Sequence, residues 1–117
     1  MAVEYRCDPI EQKAINANRI TVSSIIDHFP TDAIGGSNKR NMASRLLTLR
    51  WRHCSVETDL PKRRDSDRLR GFIRARAFPE FFYEDSGAEA GDVIIFERLG
   101  THEFRLHLQK PDGRRFG

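Results

Sequence analysis

The most constraining feature of the sequence is a pair of apolar runs on either side of Gly100 and Thr101. Residues 93–99 are mostly apolar and begin with three β-branched side chains, which predicts a buried strand. Residues 103–109 alternate between apolar and polar side chains, which predicts a second strand that returns beside the first. The short connection at Gly100 and Thr101 therefore predicts an antiparallel hairpin.

Two further segments alternate between apolar and polar side chains. Residues 46–52 predict a half-buried strand, with Leu47, Leu49 and Trp51 on one face. Residues 72–77 predict another strand, which carries its guanidinium groups on a single face. Together with the hairpin, these segments indicate a chain built mainly from short strands.

Two short helices are also predicted. Residues 21–29 place apolar side chains at helical spacing, with Thr21 as the N-cap and with Pro30 ending the element. Residues 79–83 predict a single helical turn, because proline is well tolerated at the first helical position. Short strands separated by turn signals, with two short helices, predict a small β-barrel or a rolled sheet.

Length and composition bound the class of protein. A chain of 117 residues is long enough for one modest core. No apolar run approaches the roughly 20 residues of a membrane-spanning helix, and residues 1–17 lack the apolar region of a secretory signal. Two cysteines are too few for a disulfide framework. We therefore expect one cytoplasmic domain, monomeric in isolation, with no membrane partner.

The charge distribution divides the chain into a basic and an acidic part. Residues 39–76 contain twelve bases and four acids, whereas residues 77–112 contain eight acids and three bases. Arginine accounts for 16 of the 20 bases, and arginine suits bidentate contacts with phosphate and with guanine. An electrically polarised chain of this kind is expected to orient its basic side toward a polyanion, although a solvated Arg-rich surface is the alternative.

The residues offer no convincing pattern for catalysis or metal binding. His53 and Cys54 are adjacent, so a strand would place them on opposite faces, and no zinc-site spacing occurs. Glu11 and Lys13, with Asp8 nearby, give only a short match to the carboxylate–lysine sets of metal-dependent nucleases. We therefore expect no catalytic residue, no metal and no cofactor, and we predict that this chain alone is not an enzyme.

Three blocks in a particular order resemble the B3-like DNA-binding domains. The blocks are 20–26 with the following 29–30 and 35–39, then 78–82 with 90–96, and finally 103–108. The resemblance implies a mainly β fold, a seven-stranded open pseudobarrel with two short helices. It places the B3-like domain at residues 20–109, after an N-terminal lead-in at 1–19 and before a C-terminal tail or linker at 110–117.

Within this family, residues 29–36 and 72–76 are most similar to the specificity and effector domains of restriction endonucleases of the EcoRII and BfiI types. The resemblance implies sequence-specific binding of double-stranded DNA by two arms in the major groove, with a nuclease domain fused or associated elsewhere and a bacterial setting. The expected N-arm residues are His28, Ser37, Asn38, Lys39 and Arg40. The expected C-arm residues are Lys62, Arg63, Arg64, Asp65, Asp67, Arg68, Arg70, Arg74 and Arg76.

Side-chain chemistry divides these residues into two groups. Arginine reads guanine and asparagine reads adenine through paired hydrogen bonds, so the base-edge candidates are Asn38, Arg63, Arg64, Arg68, Arg74 and Arg76. The phosphate candidates are Lys39, Arg40, Lys62 and Arg70. Asp65 and Asp67 are expected to orient neighbouring arginines or to accept from cytosine. Gly35 and Gly36 either let backbone N–H groups come close to a phosphate or form an ordinary turn.

Two other functions stay open on the sequence. A single-stranded nucleic-acid or RNA-binding barrel would need exposed aromatic side chains on its strands. The aromatic side chains are instead predicted to lie in the core, namely those of Trp51, Phe81, Phe82 and Phe96. A protein-interaction domain would use the Arg-rich face to bind an acidic partner, and strong preference among duplexes would exclude that function.

Overall fold

The computed structural model describes residues 3–64 and 68–117. The strands of the described residues are β1 (Glu4–Arg6), β2 (Ile34–Gly35), β3 (Leu47–Trp51), β4 (Cys54–Thr58), β5 (Leu60–Pro61), β6 (Val93–Arg98), β7 (Glu103–Gln109) and β8 (Arg115–Phe116). The two α-helices are α1 (Gln12–Asn16) and α2 (Ala77–Ser86), and short 3₁₀ segments span Ser23–His28, Thr31–Ala33 and Lys39–Asn41. The prediction of a mainly β fold is confirmed.

Six of the strands form one mixed, open sheet. Its order is β1-β6-β7-β3-β4, with β8 also paired to β7, while β2 and β5 form a separate parallel pair. The sheet does not close into a barrel within the described residues. The predicted count of seven strands is not confirmed, because six strands lie in this sheet and two lie in the parallel pair.

The hairpin around Gly100 and Thr101 lies in the middle of the sheet. β6 and β7 pair antiparallel from Val93 opposite Gln109 to Arg98 opposite Phe104. β7 then pairs in parallel with β3, and antiparallel with β8 near its end. The alternation that predicted the strand matches its burial at Phe104, which is fully buried, and Arg105, which is exposed, but His107 on the polar side is buried as well.

The core lies between the sheet and α2. Trp51 and Phe82 are fully buried and meet edge to face, with ring centroids 4.7 Å apart. α2 is longer than the single turn predicted. Phe78 and Phe82 lie one turn apart on the same face of the helix, and the burial of both side chains stabilises the longer helix. The prediction that Phe81 belongs to the core is wrong, since this side chain faces away from that apolar stripe and is 41% exposed.

The strand predicted at 72–77 is not formed. Phe72 makes only an isolated bridge to Thr21. The backbone N–H groups of the next two residues donate hydrogen bonds to two different segments instead of to one neighbouring strand. Ile73 N–H donates to Ile20 and Arg74 N–H donates to Asp59. The alternation instead reflects one buried side chain, Ile73, between half-buried neighbours in an irregular segment that leads into α2.

The helix predicted at 21–29 is a shorter 3₁₀ segment. It spans Ser23–His28, and Val22 precedes it without any side-chain cap. Thr21 does not cap the helix because it bridges to Phe72, and Val22 N–H donates to the Gly71 carbonyl. The chain leaves the helical conformation at Phe29, as predicted for a residue that precedes proline.

The folded unit extends past the domain boundaries predicted at residues 20 and 109. In the N-terminal segment β1 pairs with β6, and Cys7 and Ile10 are buried in the core. In the C-terminal segment β8 pairs with β7. Both segments are therefore parts of the sheet rather than a lead-in and a tail. None of the described helices has the length and apolar character required to cross a membrane.

Candidate nucleic-acid interface

Two basic loops leave the core side by side. β2 and β5 pair in parallel, with Ile34 opposite Leu60 and Gly35 opposite Pro61. We call residues 36–45, which follow β2, the N-arm, and residues 62–70, which follow β5, the C-arm. Because paired strands lie about 4.8 Å apart and these two run in the same direction, both arms begin at neighbouring points and head the same way.

The N-arm is a tight loop that presents cations at its tip. Gly36 N–H donates to the Asn41 carbonyl across 2.5 Å, which closes the loop. Asn38 Oδ1 accepts the Arg40 N–H at 2.9 Å and caps the 3₁₀ turn Lys39–Asn41. Lys39 and Arg40 are both exposed on this turn. Asn38 is exposed as well, although its carbonyl oxygen is already occupied by the cap.

The described residues of the C-arm pair as two antiparallel segments. Arg63 N–H donates to the Arg68 carbonyl at 2.8 Å and Arg70 N–H donates to the Pro61 carbonyl at 3.0 Å. Lys62 and Leu69 form a β-bridge between these two bonds. The arginines at positions 63, 64, 68 and 70 are exposed, while Lys62 is half-buried. The predicted site residues Asp65 and Asp67 lie outside the described residues.

The bases in the middle of the chain differ in whether an acid neutralises them. Three arginines are paired with acids outside the arms or at their base, namely Arg45 with Asp32, Arg50 with Glu103 and Arg52 with Asp85. In the described part of the chain, six bases have side chains that form no ion pair, hydrogen bond or contact with an aromatic ring, namely Lys39, Arg40, Arg63, Arg64, Arg76 and Arg105. All but Arg105 lie on the two arms or just after them. The positive charge available to a ligand is therefore concentrated there.

Arg74 differs from the other predicted arm residues because its guanidinium is used inside the protein. Its side chain is 10% exposed, and its Nε lies 2.5 Å from Oδ1 of the fully buried Asp59. Its Nη2 donates to the Gly36 carbonyl at 2.6 Å. A guanidinium held in this way is not presented at the surface, so we withdraw Arg74 from the base-edge candidates.

His28 also lies apart from the other predicted N-arm residues. Its ring stacks on Tyr5 of β1 with centroids 4.1 Å apart, and its carbonyl accepts from the Arg98 guanidinium. The structure therefore places His28 against the edge of the sheet and not beside Lys39 and Arg40. Ser37 does lie in the N-arm, where it is half-buried.

The base of the N-arm contains a contact that the sequence analysis missed. His102 Nε2 lies 2.6 Å from Asp32 Oδ1, and the Asp32 carbonyl accepts the Arg45 N–H at 3.2 Å. Asp32, which lies before β2, thus connects the end of the arm to the β6–β7 turn. No local pattern signals this contact, since Asp32 and His102 are separated by 70 positions.

Gly35 and Gly36 pack the arms together. Gly36 N–H is occupied by the Asn41 carbonyl, and Gly35 is buried. A Cβ at Gly35 would stand 2.0 Å from Asp59 Oδ2 and 2.8 Å from the Ala43 nitrogen. Close packing within the protein therefore accounts for the glycine pair.

We expect Gly35→Ala to destabilise the fold by about 1–3 kcal/mol, because the added methyl group would overlap a buried carboxylate and a backbone nitrogen. The matched control is Gly100→Ala, since a Cβ there would meet only the Glu103 side chain, at 3.9 Å. Urea denaturation of both variants measures the difference. Equal midpoints for the two variants would contradict the packing account of Gly35.

A cluster of possible metal ligands lies outside the arms and is held by contacts within the protein. One ligand atom each from Glu4, Glu97 and His107 lies within 4.8 Å of the others. Arg115 bonds Glu4 and holds the pKa of that carboxyl below its usual value, and His107 Nε2 lies 2.7 Å from Glu97. These contacts account for the cluster as a network of polar contacts across neighbouring strands.

A cavity of about 210 Å³ lies beside the buried Cys7. Burial raises the pKa of the Cys7 thiol to about 12, so the thiol stays protonated at neutral pH. A protonated thiol is a poor nucleophile, and the cavity is smaller than the roughly 300–1,000 Å³ of ordinary small-molecule sites. The cavity therefore does not compete with the arms as the candidate site.

Comparison with known proteins supports the fold but not a function. No protein-family model matches the chain, and no curated protein matches it. The structure of the hypothetical Arabidopsis thaliana protein At1g16640.1 is similar, with a TM-score of 0.54 and 11% sequence identity. The match covers 97% of this chain and 96% of that one, so the two share a fold over nearly their whole length. At such low identity the likeness concerns the fold alone.

Proposed function

We propose that this chain is a B3-like, sequence-specific double-stranded DNA-binding domain that inserts the N-arm and the C-arm into the major groove. The observation that carries the proposal is that Lys39, Arg40, Arg63 and Arg64, exposed cations with no partner among the described residues, lie on two adjacent loops. DNA presents a dense array of phosphates, and cations that are not neutralised by the protein itself are the ones that can replace its counterions.

The shapes of the two arms fit different parts of a duplex. The major groove is about 12 Å wide and admits a two-stranded ribbon, and the described residues of the C-arm pair in that way. Arg63 and Arg64 lie on the outgoing side of the C-arm, beyond the Lys62–Leu69 bridge, and are assigned to guanine edges. Lys39 and Arg40 lie on a tight turn of the N-arm and are assigned to phosphates, where they would fix the register of the domain.

The proposal is favoured over a single-stranded nucleic-acid barrel by the placement of the aromatic side chains. Trp51, Phe96 and Phe104 on the strands are fully buried, and so is Phe82 on α2. Single-strand binders stack bases on exposed aromatic rings along their strands. Binding to an acidic protein partner is the alternative, and a selection experiment in which no duplex is bound would favour it. The restriction-endonuclease context and the cytoplasmic location stay predictions.

Selection from a pool of randomised duplexes, followed by sequencing at two salt concentrations, tests the proposed function. We expect one short motif to be enriched and the affinity for it to fall steeply as salt rises, with a log–log slope of about −0.9 for each phosphate contacted. Salt-dependent binding without an enriched motif would reduce the function to general polyanion binding. Failure to bind any duplex would contradict the proposal and direct attention to acidic proteins.

A further inference from the structure

A buried ion pair joins the bases of the two arms. Asp59 lies just before β5 and the C-arm, and Arg74 lies just after the C-arm has returned. Both Arg74 Nε and Nη2 contact the carboxylate, at 2.5 Å from Oδ1 and 3.2 Å from Oδ2. Arg74 N–H also donates to the Asp59 carbonyl at 3.0 Å. The pair therefore closes the C-arm at its root.

The same two side chains hold both ends of the N-arm. Asp59 Oδ2 accepts the Ala43 N–H at 2.8 Å, and Arg74 Nη2 donates to the Gly36 carbonyl at 2.6 Å. Gly36 is the first residue of the N-arm and Ala43 lies near its end. One ion pair thus fixes both ends of one arm and the root of the other. The buried Gly35 leaves the space in which this arrangement fits.

We propose that Asp59 and Arg74 are positioning residues that set the distance and orientation between the two arms, and so determine sequence selectivity without touching DNA. This inference rests on the proposed function. Base reading requires donors held in the correct geometry, and a buried pair whose members bond each other and the backbone at both ends of the N-arm is suited to specifying one arrangement. A planar guanidinium supplies the several fixed donors that this arrangement uses, whereas an ammonium group supplies a single point charge.

Three variants separate positioning from general stability. Arg74→Lys keeps the charge but loses the fork, and Asp59→Asn keeps the shape but loses the charge. The matched control is Asp92→Asn, because Asp92 is also buried, accepts a backbone N–H from Glu89 at 2.8 Å and pairs with a cation, Lys110, at 2.6 Å. All its partners lie away from the arms. If Asp59→Asn does not fold, Arg74→Lys still decides the outcome.

The first readout is amide hydrogen exchange in the free protein. We expect exchange in the N-arm and at the root of the C-arm to become about tenfold faster in Arg74→Lys, relative to the amides of β6 and β7. Asp92→Asn should leave this ratio unchanged. Equal arm protection in wild type and Arg74→Lys would overturn the inference. This readout needs no DNA, so it decides whether the pair orders the arms even if the chain binds no duplex.

The second readout is the ratio of affinities for the motif duplex obtained by selection and for a scrambled duplex. We expect this ratio to fall about tenfold in Arg74→Lys, which corresponds to the misplacement of one bidentate base contact. Asp92→Asn should retain the wild-type ratio even where its melting temperature falls. Faster arm exchange with an unchanged affinity ratio would overturn the positioning role. A wild-type ratio near one would contradict the proposed function itself.

Discussion

Changing Lys39, Arg40, Arg63 and Arg64 together to alanine is expected to weaken binding to the motif duplex at least about hundredfold. Two lost arginine–guanine contacts alone are worth about 1–3 kcal/mol each. Each lost phosphate contact should also make the log–log salt dependence shallower by about 0.9. Fluorescence anisotropy with a labelled duplex at several salt concentrations measures both quantities. The fold should survive, because these side chains are exposed and make no ion pair with another described residue.

The control for this variant removes the same charge from other surfaces. Changing Arg6, Lys13, Arg105 and Arg114 to alanine also takes the formal net charge from +3 to −1, since four bases are lost in each case. These four side chains are exposed and lie outside both arms. We expect the control to lose much less affinity. Equal losses in the two quadruple variants would show that net charge, rather than the arms, governs binding.

Phe82→Ala is expected to destabilise the protein by about 3–5 kcal/mol, the usual cost of removing a large buried aromatic side chain. Phe82 is fully buried and contacts Trp51 edge to face. The loss would therefore open a cavity between α2 and the sheet. Urea denaturation followed by tryptophan fluorescence reports on this contact directly, because Trp51 is the only tryptophan of the chain.

The neighbouring Phe81→Ala gives a matched control on the same helix. Phe81 is 41% exposed, so its removal should change the free energy of unfolding by no more than about 0.5 kcal/mol. The two substitutions delete the same side chain at adjacent positions. Similar denaturation midpoints for both would contradict the assignment of α2's buried face.

The parts of the fold that the sequence predicted are those set by local alternation and turn signals. The β6–β7 hairpin and β3 follow from alternating apolar side chains, and both strands of the hairpin lie where the pattern places them. The terminal strands were not predicted, because β1 and β8 span only three and two residues and give no periodic signal. Their place in the sheet depends on pairing with partners far along the chain.

The failures at residues 21–29 and 72–77 have one physical cause. Thr21 and Phe72 bridge to each other, and Gly71 accepts the N–H of Val22. These contacts between distant segments outweigh the local preference for a helix in one segment and a strand in the other. Tertiary hydrogen bonds of this kind leave no trace in the periodicity of either segment.

The sequence predicted which segments form the two arms of the candidate site, but it did not predict the hydrogen bonds and ion pairs between them. The density of arginine marks the C-arm, and the glycine-containing loop marks the N-arm. The sequence could not distinguish Arg74, which is buried against Asp59, from Arg76, which is exposed, because both follow the same alternation. That distinction depends on the position of an acid 15 residues away, which only the folded chain reveals.

The most direct test of the central claim is a titration of the ¹⁵N-labelled protein with the selected duplex, followed by amide chemical shifts. At 13.5 kDa the chain is small enough for residue-by-residue assignment. We expect the largest shift changes in the N-arm and the C-arm and at Arg76, with little change along the exposed face of α2. Changes concentrated on α2 or on β1, with the arms unaffected, would contradict the assignment of the two arms as the DNA-binding surface.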